Sequence, residues 1–593
     1  MSDLFSFGQF DFGEVTNNYS SSKDVLNEQG MNVGRHVNSY GKEDCEDSGF
    51  AGSFSSDYVE NTMVVEQLLS KYQQKCRQPA FPDFGILDDF YPDVAPPPFQ
   101  SCPAEITKLS TVQIESFLQD NLQEEKPSTV PLASLGILRS SGRGFRRLNG
   151  EKIEVSRYDT AHIKPETKIG PRKLSTEDIL RLAGQKFIQS SSKLVDDIAT
   201  PGLPFGSALL DFSYDEAKGV ELVHNLLASA EKVGQQQYDR ASKLLIQCCR
   251  FSSDTGNSVQ RVVYYFCEAL RERIGRESGR LKSSGKKHLV DLNVALMRPD
   301  PAIIAYHQEV PFNQIIQFTG MQAIIDHVAE AKRVHVIDLD MRYGVQFTVL
   351  MQALAERQKC PLELLRITAV GTNSRSTIEE TGQRLASFAQ SMNISFSFGV
   401  VMVSDMLDLK ENLFGLDSEE TVAVRASFTL MTMVAIPDRL EYLMRMIRNI
   451  NPCVMVVVEI EGNHNSPVFV NRFIEALFFH SALFDSLEDC MGQNNSNRKI
   501  LESMYFSWGI QNMVAAEGEE RTCRHVNISV WRAFFSRFGM VEEGLSTSAL
   551  YQVNLVAKNF ACVDSCTFDM DGKCLILGWK GTPLYSLSAW KFV

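Results

Sequence analysis

From Val334 onward, runs rich in β-branched residues alternate with stretches of helical periodicity, and this alternation constrains the fold most. Val334-His335-Val336-Ile337-Asp338-Leu339-Asp340 reads as a buried strand ending in an acid, followed by helix-like Phe347–Arg357. A strand at Leu364–Val370 and a helix at Ile378–Met392 come next, with further strands expected at Ala423–Leu430, Cys453–Ile460, Tyr551–Ala557 and Cys574–Gly578. Strands alternating with helices build an α/β domain, because parallel neighbours need a crossover of about a dozen residues or more. The last two candidates lie too close together for a usual crossover, so an antiparallel pair at the sheet edge is expected.

The helices ahead of this region are amphipathic. Val223, Leu226, Leu227 and Ala230 repeat at helical spacing, as do Ala241, Leu244, Leu245 and Cys248, then Val259, Val262, Val263 and Phe266. Three helices preceding the first strand must sit outside the sheet's crossovers, as a cap. Leu226, Leu227, Leu244 and Leu245 are the candidate partner interface, against a core role for all four. Farther upstream, Ser175-Thr176-Glu177-Asp178 predicts a capping box opening a helix. The expected fold is a Rossmann-like, mainly parallel sheet of class I methyltransferase outline, with a helical cap and a disordered N-terminal arm.

Charge is segregated. Residues 1–138 hold 21 acidic and 8 basic side chains, residues 139–173 hold ten basic and four acidic, and the whole chain carries −14. Without sustained periodicity, 1–138 cannot bury enough surface to order itself. Within it, residues 81–91 interleave Asp83, Asp88 and Asp89 with bulky apolar residues. That is the composition of an activation segment, with Phe84, Phe90 and Tyr91 as anchors. The basic linker 139–173 offers Arg143, Arg146, Arg147, Arg172 and Lys173 for nuclear import or phosphate contact.

With 44% apolar residues the chain has material for a sizeable core, and no apolar run approaches the ~20 residues of a membrane span. Its first fifteen residues carry acids and lack a basic start, so no secretory signal is read there. Thirteen scattered cysteines fit reduced thiols in cytosol or nucleus.

Chemistry finds little purchase. A nucleotide or S-adenosylmethionine site at the end of the first strand needs a glycine-rich turn. Here Asp338 is followed by Leu339-Asp340-Met341-Arg342-Tyr343-Gly344-Val345-Gln346, with one glycine. Cys562, Cys566 and Cys574 do not match paired zinc-ribbon spacing, Cys523 and His525 stand two apart, and His335 reads as a core histidine. No catalytic, cofactor or metal residue is assigned.

Val334, His335, Val336, Ile337 and Asp338, followed by Asp340, Gly344 and Gln346, resemble the signature of the plant GRAS family of transcriptional regulators. Four further stretches resemble the family's regions in its order: Leu222–Arg271, Gln383–Phe398, Val458–Ser486, and Asn512 to the end. The last contains Glu517, Arg521, Arg524, Trp531, Trp579, and Ser588-Ala589-Trp590. The resemblance divides residues 174–593 into leucine-rich region I (about 217–280), VHIID (302–370), leucine-rich region II (377–410), PFYRE (420–510) and SAW (512–593). Phe347, Met321 and Ala516 depart from the family's usual tryptophan, asparagine and cysteine, and the arm matches neither the DELLA nor the TVHYNP motif.

The resemblance implies a nuclear regulator, with the cytoplasm also open to it, in developmental or symbiotic signalling, arbuscular mycorrhiza included. It would pair with GRAS proteins as homo- or heterodimer and with transcription factors, reach DNA directly or through a partner, and use no cofactor and no membrane. The alternative is an S-adenosylmethionine-dependent methyltransferase. Glu517, Arg521 and Arg524 are expected to form an ion-pair cluster, and Trp531, Trp579 and Trp590 to be structural determinants.

Overall fold

A computed structural model describes residues 174–192, 213–280, 300–372, 374–492 and 495–593. The readings on Phe84, Phe90, Tyr91, Arg143, Arg146, Arg147, Arg172 and Lys173 lie outside the described residues.

The cap is built from α1 (Thr176–Ser192), α2 (Tyr214–Gly234), α3 (Tyr238–Phe251) and α4 (Ser258–Glu277). Local sequence sets three of its starts. The Ser175 hydroxyl accepts from the Asp178 amide at 3.1 Å while the Asp178 carboxylate accepts from the Ser175 amide at 3.1 Å. Ser213 with Glu216 and Asn257 with Gln260 repeat that capping box at α2 and α4. The helix α2 is covered by α1, α3 and α4 together, so its apolar stripe is wider than one interface needs. Leu226, Leu227 and Leu245 are therefore 0%, 2% and 3% exposed, and Leu244 is half-buried. As a partner surface Leu226, Leu227 and Leu245 are a misreading: they are the inside of the cap.

After α5 (Pro301–Glu309) and α6 (Pro311–His327) come β1 (Arg333–Asp338), α7 (Gln346–Ala355), β2 (Leu364–Gly371), α8 (Arg375–Ser391) and β3 (Phe396–Met402). Then follow β4 (Thr421–Ser427), α9 (Pro437–Ile450), β5 (Val454–Ile460), α10 (Phe469–Met491), α11 (Ser496–Ile500), a π-helical turn at Leu501–Phe506, and α12 (Ser507–Val514). The described chain closes with α13 (Ile528–Ser536), β6 (Met540–Glu543), α14 (Thr547–Ala557), β7 (Cys566–Asp571), β8 (Cys574–Trp579) and β9 (Thr582–Phe592).

The sheet runs β3-β2-β1-β4-β5-β9-β8-β7, with β6 also on β9. Strands β1 to β5 are mutually parallel, and β9 lies antiparallel to β5, β8 and β6. The α/β class with a predominantly parallel sheet and a helical cap is as expected, but the antiparallel portion is larger than an edge pair and lies beside β5. Both faces are covered, as parallel strands require. Along β5, Val454, Val456 and Val458 face one pair of cores while Met455 and Val457 face the core under α9 and α13. The long α10 is apolar nearly all round because it stands between cap and sheet. Phe473 and Leu477 belong to the cap's core, and Phe479 and Leu487 to the sheet's.

The predicted strand Tyr551–Ala557 is wrong. It is the second half of α14, whose Ser546 hydroxyl accepts from the Ala549 amide at 3.0 Å. Ala549, Val553, Val556 and Ala557 recur at helical spacing and are buried, leaving Tyr551 63% exposed. The β-branched content suggested a strand; the cap and the 3.6 period decided otherwise. Among the described residues no helix is long and apolar enough to cross a membrane.

Candidate functional site

In an open parallel sheet, ligands bind beyond the carboxyl ends of the strands where the order reverses, here between β1 and β4. Asp338, the last residue of β1, is fully buried. Its carboxylate accepts two contacts from one nitrogen of Arg425 on β4, at 3.1 and 3.3 Å, and one from the Asp340 amide at 3.2 Å. Burial nonetheless outweighs these partners and holds the Asp338 carboxyl above its ordinary range. Next in the loop, the Asp340 carboxylate takes the Arg342 Nε at 3.0 Å, and the Arg342 guanidinium lies 5.5 Å from the Phe428 ring centre. Phe428, just past β4, sits at φ 58°, a strained setting for an aromatic residue.

At the end of β5, Glu459 is 1% exposed. One of its oxygens accepts from the Leu430 and Met431 amides at 2.8 and 3.4 Å. Burial, the largest influence, pushes this carboxyl up to about 8, so it carries its proton at neutral pH. The lone glycine of the β1 loop, Gly344 at φ +69°, packs against α8. A Cβ there would stand 2.8 Å from the Thr381 methyl of α8. Met341 is fully buried in the core beneath.

His335 is a core histidine. Its Nε2 pairs with the Thr368 hydroxyl at 2.8 Å, its Nδ1 lies 3.2 Å from Glu420, and burial lowers it to about 4. Val334, Val336 and Ile337 are core, and Gln346 is buried at the start of α7. Ser588, Ala589 and Trp590 sit on β9 opposite Val457, Val456 and Met455. Trp590 packs 4.7 Å from the Phe535 ring, which in turn stacks on Trp531 at 5.6 Å. Trp579 lies apart from them: its Nε1 donates to Asp485 of α10 at 2.7 Å. The same carboxylate accepts from Lys580 and, at 2.6 Å, from Thr176 of the cap.

The expected Glu517–Arg521–Arg524 pairing is corrected. Glu517 bridges Arg273 of the cap and Arg472 of α10, while Arg521 donates to Asn465 at 2.8 Å and Arg524 to the Gly518 carbonyl at 3.0 Å. The bridge joins three regions remote in sequence, which no local spacing reveals. Sequence reading also missed Arg425 and Glu459. A charged residue inside an otherwise apolar strand was the available signal in each case.

The topology defines a class: a methyltransferase-like Rossmann scaffold, capped by helices, with a buried ion pair at the carboxyl end of β1. The sequence pattern of the GRAS domain family matches residues 222–591, and the chain belongs to the GRAS family of plant transcriptional regulators. It is 33% identical over 377 residues to the DELLA protein GAI1 of Vitis vinifera, covering 63% of this chain and 62% of that protein's length. It is also 33% identical over 498 residues to DELLA protein 1 of Medicago truncatula, covering 80% of each. The chain thus spans about three fifths of the length of the grape relative. The crystal structure of SCL7 from Oryza sativa matches with TM-score 0.55 at 24% identity, over 62% of this chain and 99% of that one, a likeness of fold.

Proposed function

We propose that this chain is a nuclear regulator of transcription that works through protein–protein contacts rather than through a cofactor reaction. The carrying observation is the closed carboxyl edge. Where a bound nucleoside would need glycine and open space, Asp338 is spent on Arg425, and Gly344 packs against α8. Residues 1–138 would serve as an acidic arm with an activation segment at 81–91, residues 139–173 as a basic import linker, and 174–593 as the GRAS domain. Its partners would be other GRAS proteins and transcription factors, with promoter DNA contacted directly or through them, in developmental or symbiotic signalling. The arm lacks the DELLA and TVHYNP motifs, so we place the chain outside the DELLA subgroup.

With Leu226, Leu227 and Leu245 inside the cap, the outward side of α3 supports pairing better. Phe251 is 51% exposed there with Leu244 half-buried seven residues before it on the same side, and Ile246 is 65% exposed on the other flank of the helix. Sedimentation of the full chain tests this. Ile246→Glu with Phe251→Glu should abolish association and leave circular dichroism unchanged, whereas Leu226→Glu should unfold the cap. A wild-type chain that stays monomeric at tens of micromolar and binds no GRAS partner would refute the pairing. Micromolar binding of S-adenosylmethionine by calorimetry would instead favour the methyltransferase reading.

A further inference from the structure

Three cysteines that meet at the far end of α10 play no part in the reading above. Cys490 is the penultimate residue of α10, Cys562 lies between α14 and β7, and Cys566 opens β7. The Cys490 thiol donates to the Cys562 sulfur at 2.8 Å across 72 residues of chain. The Cys566 thiol donates to the Cys562 carbonyl at 3.7 Å. All three are free thiols; Cys490 and Cys562 are half-buried and Cys566 is buried. A disulfide bond is about 2.05 Å long, so closing this pair needs a shift of less than about 1 Å.

The two thiols are also chemically unequal. The hydrogen bond from Cys490, with the Cys566 thiol close by, stabilises charge on the Cys562 sulfur and pulls it toward the thiolate. Cys490 is pushed the other way, first by its bond to Cys562 and then by burial. A partly exposed thiolate next to a protonated thiol is the arrangement of a reactive cysteine and its resolving partner.

We propose that Cys490 and Cys562 are a reversible oxidation site, forming a disulfide on exposure to a peroxide. The Cys562 thiolate attacks one peroxide oxygen and the O–O bond breaks. The departing hydroxide takes a proton to become water, leaving a sulfenic acid on Cys562. Cys490 then gives up its proton and attacks that sulfur; the S–O bond breaks, a second water leaves, and the S–S bond forms. The two thiols supply the two electrons that reduce the peroxide, and a small thiol reverses the bridge by exchange. The bond would tie the C-terminal end of α10 to the strand pair that follows it. Five residues earlier on α10, Asp485 holds Trp579 and Thr176. The oxidised form would therefore brace the helix that joins cap to sheet.

Peptide mapping of the reduced, full-length chain after hydrogen peroxide treatment and thiol blocking tests this. The expected product is an intramolecular Cys490–Cys562 crosslink, abolished in C490S and in C562S, retained in C566S, and reversed by dithiothreitol. The oxidised wild type should melt a few degrees higher than the reduced form, with no such rise in C490S. The inference is overturned by a crosslink confined to other cysteines, by one between chains, or by sulfinic acid at Cys562 without a bridge. Should a serine variant fail to fold, the map of the wild type decides alone.

Discussion

Replacing Arg425 by methionine leaves Asp338 buried with only the Asp340 amide as a partner among the groups now reaching it. Removing one member of a buried pair costs ~3–5 kcal/mol, because the other remains as an uncompensated charge. Asp338 can escape by taking a proton, and it is already held above the ordinary carboxylate range with Arg425 in place. In R425M it should rise further. A carboxyl raised in the folded state contributes its full stability below the unfolded value of about 4, and loses it as pH climbs toward the folded value. The deficit of R425M relative to wild type should therefore shrink on going from pH 7.5 to pH 5, by up to ~3 kcal/mol at about 1.4 kcal/mol per pH unit. The other titrating groups are common to both proteins and drop out of the difference. Adding Asp338→Asn should remove the extra pH dependence and recover part of the loss. Urea denaturation followed by circular dichroism at the two pH values supplies each quantity. If R425M is as stable as wild type, or its deficit is equal at both pH values and untouched by Asp338→Asn, the edge is not held shut by this pair.

Trp590→Ala should cost ~3–5 kcal/mol although it stands three residues from the end, because it is 2% exposed and packed on Phe535; an unchanged melting temperature would count against this. Glu459→Gln should match wild type near pH 5 and exceed it by a few kcal/mol near pH 8, since the native carboxyl pushed up to about 8 loses stability across that window and glutamine does not ionise. Urea midpoints that run parallel over the range would contradict it. Residues 81–91 fused to a DNA-binding module should drive a reporter, and alanine at Phe84, Phe90 and Tyr91 together should silence it.

Much of the scaffold was legible because periodicity is local. Strands β1, β2, β4 and β5 and helices α7 and α8 follow from alternating β-branched runs and 3.6-residue stripes, and the capping box at Ser175 follows from side-chain chemistry three residues apart. The strands β3, β6, β7 and β9 went unseen. Strand β9 intersperses buried Ser586 and Ser588 with Leu587, Ala589 and Trp590, a pattern that makes sense only once β5, β6 and β8 flank it. Strand β3 is only partly buried at the sheet edge, so its apolar signal is diluted.

Sequence alone determined the class of fold and the family, because these depend on patterns carried within a few turns of chain. Tertiary structure alone decided what those residues do. Leu226 and Leu227 are internal because three helices close over α2, not one. Asp338 is paired and buried because Arg425, 87 residues away, meets it on the neighbouring strand. Glu517 serves the cap and α10 because Arg273 and Arg472 reach it from 244 and 45 residues away along the chain. Burial and charge pairing depend on which surfaces come together in space, and separation along the chain carries no record of that.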